Sequence, residues 1–116
     1  MSQSATGHLV IHSGDVDFYY LDFGPILRGR TISAISGTIT AVNQTGGAAG
    51  TVANAAVLTV NTTVYVTETD TRTIEANTGI KFKLSGLAPK QTYLVTATVT
   101  LSDANTLALD GTFVTG

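Results

Sequence analysis

A chain of 116 residues is long enough for one domain with its own core. Apolar residues make up 43% and charged residues only 12%, against about 25% charged in an average domain; threonine, with 21 copies, fills the difference. A net charge of -2 with six scattered Lys and Arg excludes a nucleic-acid footprint, the absence of Cys excludes disulfide frameworks and thiol chemistry, and no run reaches the roughly 18 apolar residues of a membrane span.

Residues 1–14 are polar apart from Leu9, Val10 and Ile11. They predict an extended N-terminal arm ahead of a single domain over 15–116, with Leu9 and Ile11 as candidate contacts to a partner. The segment has no basic region followed by an apolar stretch of signal-peptide length, so synthesis in a cytoplasm without general export is expected. His8 and His12 are spaced i, i+4, but on an extended arm they stand about 13 Å apart, too far to share a metal ion. Asp15, Asp17 and Asp22 cluster without a second acidic group in a ligand pattern. No metal, cofactor or catalytic pair is expected.

"DFYYLDF" at 17–23 reads as a strand ended by Gly24–Pro25. Its alternation puts Phe18 and Tyr20 on one face and Tyr19, Leu21 and Phe23 on the other. One face lines the core, and the other is free to anchor a partner, since aromatics are favoured at interfaces. The bulk of Phe18 and Tyr20 predicts Tyr20 inward and Tyr19 outward. Arg28 and Arg30 follow as turn charges or as a rim pairing with an acidic partner.

"TISAISGTITAV" is a longer strand whose phase slips, Ile32 being out of step with Ile35 and Ile39. A bulge near Ser33–Ala34 or Gly37 would restore it. "NQTGGAAG" at 43–50 reads as a flexible loop, "ANAAVLTV" as a short strand, and "YVTETDTRTIEA" as a hairpin turning near Thr69–Asp70–Thr71. The sequons "NQT" and "NTT" carry little meaning without export. "IKFKL" points Ile80, Phe82 and Leu84 one way and Lys81 and Lys83 the other. Tyr93, Val95, Ala97, Val99 and Leu101 then alternate with a largely threonine face, and "TLALDGTFV" follows after a turn at 103–105. No helical period is present. The pattern predicts an all-β sandwich.

Leu87, Pro89 and Tyr93, followed by Val95, Ala97 and Val99, resemble the corner that opens strand F of fibronectin type III and other immunoglobulin-like domains. The resemblance covers about residues 80–114. It implies an immunoglobulin-like β-sandwich in which the Tyr93 hydroxyl satisfies backbone of the preceding turn. Phe18, Tyr20, Asp22, Leu27, Gly29, Thr31 and Ile32 resemble the start of small immunoglobulin-like proteins coded among bacteriophage structural genes, with Phe and Tyr where that family often has tryptophan. That resemblance implies a non-enzymatic virion protein, a fibre–tail adaptor or a capsid cement or decoration, docking on other virion proteins as a homo-oligomer or in many copies. The alternative is a cell-surface fibronectin-like adhesion or carbohydrate-binding module.

Overall fold

The computed structural model describes residues 9–11, 14, 16–65 and 71–116. In chain order the strands are β1 (Leu9–Ile11), β2 (Asp17–Asp22), β3 (Ile32–Asn43), β4 (Thr51–Val57), β5 (Thr62–Tyr65), β6 (Thr71–Ile74), β7 (Gly79–Ser85), β8 (Thr92–Leu101) and β9 (Thr106–Thr115), with one short helix, α1 (Gly24–Leu27), after β2. They form a four-stranded sheet ordered β1-β9-β8-β3, a three-stranded sheet ordered β2-β7-β4, and a separate β5-β6 hairpin. All pairings are antiparallel except β1 with β9.

One core lies between the two larger sheets. Alternation delivers its residues: Tyr93, Val95, Ala97, Val99 and Leu101 from β8, Ile80, Phe82 and Leu84 from β7, and Leu109 and Phe113 from β9 are all buried. The rings of Tyr19 and Phe82 meet Phe113 edge-on, with centroids 5.3 and 6.0 Å apart, a geometry worth about 0.5–1.5 kcal/mol per pair beyond area burial. Gly111 lets β9 approach β2: a Cβ there would stand 2.8 Å from the Leu21 side chain.

β3 carries two irregularities, and the first accounts for the phase slip. Ile32 pairs with Leu101 and Ala34 with Thr100, so Ser33 is one residue extra; Ser36 pairs with Thr98 and Thr40 with Thr96, so a second insertion contains Gly37 at φ 72°. The single extra residue at Ser33 flips the parity and brings Ile35 opposite Val99; the second irregularity adds two residues and leaves the parity unchanged, and Ile32, Ile39 and Ala41 are all buried.

Three expectations change. Within the arm predicted for 1–14, Leu9–Ile11 form a strand, Leu9 opposite Phe113 and Ile11 opposite Thr115; the edge of β9 gives this backbone the hydrogen-bond partners that a free arm lacks. Residues 1–8, 12 and 13 lie outside the described residues, with His8 and His12 among them, as do Asp15 and residues 66–70, which include Thr69 and Asp70 of the predicted turn; Thr71 opens β6. The 43–50 loop is pinned rather than loose. Asn43 is buried; its amide donates to Ala48 O and Gln91 Oε1, and its carbonyl accepts from the Thr45 N–H. Finally, the turn at Gly24–Pro25 is one turn of helix. The Asp22 carboxylate accepts from the Gly24 N–H, and Pro25 suits a first turn because its missing N–H has no partner there to lose.

Candidate functional site

The assignment of the aromatic stretch is reversed. Register places Tyr19 opposite Phe82 and Leu21 opposite Ile80, both core residues. Leu21 and Phe23 are fully buried and Tyr19 packs against the core. The reason lies in the whole face rather than in bulk. Tyr19, Leu21 and Phe23 offer three large apolar groups, whereas the Phe18–Tyr20 face ends in Asp22, a carboxylate that is expensive to bury away from a partner.

Phe18 and Tyr20 therefore point outward, where Phe18 is opposite Lys83 and Tyr20 opposite Lys81. Phe18 remains 39% exposed. The ammonium of Lys81 sits 5.2 Å from the centroid of the Phe18 ring, a cation–π contact of about 0.5–1 kcal/mol at an exposed site. On the other flank, β4 sets Ala53 opposite Lys83 and Ala56 opposite Lys81. A bulge separates these two alanines, and Asn54 inside it adopts φ 53°. Two lysines thus stand in a row with aromatics on one side and methyl groups on the other. Asp22, at the end of this face, is tied to Arg72 at 3.2 Å.

A partner bearing carboxylates beside apolar surface would complement such a face: the aromatics would offer contact area and the lysines a charge to steer encounter. Alternation had already pointed Lys81 and Lys83 outward; only the β2–β7 register joins them to Phe18 and Tyr20.

The remaining candidates go elsewhere. Arg30 is used within the chain: its Nε donates to Leu27 O at 2.8 Å and its guanidinium pairs with Asp103 at 3.2 Å. Arg28 is exposed beyond α1 with φ 54°. Leu9 and Ile11 have their backbone in β1. Asp17 accepts from the Phe18 N–H. Tyr93 is fully buried and its hydroxyl accepts from the Ala88 N–H at 2.8 Å. The two sequon asparagines are structural: Asn43 holds its loop, and the Asn61 side chain accepts from the Ala76 N–H at 2.8 Å. Among the described residues no group of three His, Cys, Asp or Glu is placed to hold a metal ion. A cleft of about 530 Å³ lies between α1 and the turn after β6; its Asp22 and Arg30 are the groups already paired with Arg72 and Asp103.

No family model, curated protein or solved structure matches this chain.

Proposed function

We propose that the chain is an immunoglobulin-like β-sandwich and a non-enzymatic structural protein of a bacteriophage virion. It docks on tail, fibre or capsid subunits as a fibre–tail adaptor or a capsid cement or decoration. It is made in the host cytoplasm, is present in several copies, and ends in the particle. The fold part is supported by strand order. A β2-β7-β4 sheet against a β9-β8-β3 sheet matches the immunoglobulin arrangement of B, E and D against G, F and C. The buried tyrosine opening β8 stands where the tyrosine corner of that fold does. The β5-β6 hairpin between β4 and β7 is an addition to that plan.

The observation that carries the docking role is the exposed Phe18 ring with the Lys81 ammonium over it, on the outward face of a sheet. Fold alone grants no activity, so the role rests on this face.

The test starts with particles purified from the phage that carries the gene. Quantitative mass spectrometry should find the chain at a fixed ratio to the major subunits. Particles lacking it should then rebind the purified protein but bind Phe18→Ala and Lys81→Glu about tenfold more weakly or worse. Absence from the particles sinks the virion reading. Capture of an acidic glycan by the purified protein would favour the cell-surface alternative instead.

A further inference from the structure

The backbone of β2 points half of its hydrogen-bonding groups away from its sheet. The Phe23 N–H donates to Thr78 O at 2.9 Å, and this pair follows Asp22–Gly79 in register. Antiparallel pairs alternate between bonded and non-bonded. Tyr19 and Leu21 therefore bond β7, while Phe18, Tyr20 and Asp22 turn their N–H and C=O groups outward. Two contacts agree. Gly79, opposite Asp22, accepts at its C=O from the Leu58 N–H on its other side. The Phe18 N–H donates at 2.7 Å to the neighbouring Asp17 carboxylate. β2 ends its sheet, and no described strand pairs with this outer edge.

Other edges are blunted. β4 is bulged around Asn54, which adopts φ 53°, and β3 breaks register twice. β1 has three described residues, and β5 and β6 have four each. β2 keeps an unbroken register over six residues and carries neither Lys nor Pro. Such an edge is a ready template for another strand.

We propose that the particle subunit which meets the Phe18–Lys81 face also adds a strand to the outer edge of β2. The inference rests on the docking reading and gives its mode. The N–H and C=O groups of Phe18 and Tyr20 continue the ladder, and the side chains of the added strand lie beside the two rings. The added strand has a foreign sequence and is not a second copy. Antiparallel pairing of two β2 edges about Phe18, Tyr19 or Tyr20 brings Asp17 close to Asp17 or Asp22 of the other copy, and like charges across a strand pair oppose it. The same carboxylate defines the partner's chemistry. A strand that takes up the Phe18 N–H releases the exposed Asp17 carboxylate, so the strand carries a Lys or Arg beside it.

Amide hydrogen exchange of the wild-type protein, resolved by residue, is the first test. In the free chain the Tyr19 amide should exchange slowly and the Tyr20 amide fast, at any concentration. On particles depleted of the protein, Tyr20 should become protected as well. Tyr20→Pro removes an N–H that the fold does not use, and an edge strand tolerates that. Circular dichroism checks its fold; should it unfold, the wild-type exchange still decides. It should bind particles at least about tenfold more weakly than Tyr20→Ala, which loses the ring and keeps the N–H. Asp17→Lys should weaken binding by a similar factor. If Phe18→Ala and Lys81→Glu weaken docking while Tyr20 stays unprotected on the particle, the face docks without the edge and only this proposal falls. A folded Tyr20→Pro that binds like Tyr20→Ala, or an Asp17→Lys that binds like wild type, also overturns it. Protection of Tyr20 at high concentration without particles would assign the edge to a second copy and overturn the foreign strand.

Discussion

The backbone N–H of Ala88 donates to the hydroxyl of Tyr93 at 2.8 Å, and Thr115 closes the same turn from the other side. The Thr115 hydroxyl donates to Ala88 O and accepts from the Gln91 N–H, and Thr115 is itself buried. Tyr93→Phe should lower the unfolding free energy by about 1 kcal/mol or somewhat more, because it strands the Ala88 N–H. Thr115→Val keeps the shape but strands two groups and should cost about 1–3 kcal/mol. Urea unfolding measures both, and wild-type stability in either variant would show that water serves the turn as well as the side chain does.

Neighbouring aromatics should respond in opposite ways. Tyr19 packs against Phe113 and the core, so Tyr19→Ala should cost about 2–3 kcal/mol of stability. Phe18→Ala gives up an exposed ring and a surface cation–π contact, and should change stability by no more than about 1 kcal/mol. Under the proposed docking role, the loss from Phe18→Ala would fall on partner binding instead. A Phe18→Ala protein as unstable as Tyr19→Ala would mean that the outward face is core.

Gly111→Ala tests how closely the two sheets approach. The new methyl would lie 2.8 Å from Leu21 Cδ2 and 3.1 Å from the Phe113 ring. Leu21 is fully buried and has nowhere to retreat, so the substitution should destabilise by about 1–3 kcal/mol. Thermal unfolding would show it, and an unchanged midpoint would mean that the sheets part at little cost.

Acid should loosen the turn between β8 and β9. The Asn105 N–H donates to Asp103, and together with the Arg30 guanidinium and the Asn105 side chain it holds this carboxyl below its ordinary value of 3.8. A depressed folded-state value contributes stability that is complete above the ordinary value and is lost as pH falls through the lower one. Carboxyl NMR titration should therefore place the Asp103 midpoint under 3.8, and Asp103→Asn should abolish the accompanying shift of the Asn105 amide. A midpoint at or above 3.8 would contradict the bond.

Strand parity was legible before any coordinates. Period-two alternation in residues 80–84, 93–101 and 107–113 correctly sorted inward from outward side chains, because an antiparallel strand with one wetted face must segregate them. The irregularity of β3 was legible too, as an apolar pattern out of phase with itself. Three things needed the third dimension. Both faces of β2 carry aromatics, so its parity says nothing of which side is core until Ile80 and Phe82 are seen opposite Leu21 and Tyr19. Thr115 gives no local sign that it will meet the turn at 88–91, 24 residues or more away in the chain. And Lys81 and Lys83 become neighbours of Phe18 and Tyr20 only because β2 pairs with β7 across an interval that contains β3 to β6. Alternation is a local property of the pleat and is written residue by residue. Which strands become neighbours is decided by the shared burial of distant segments, a free energy that no single stretch of sequence contains.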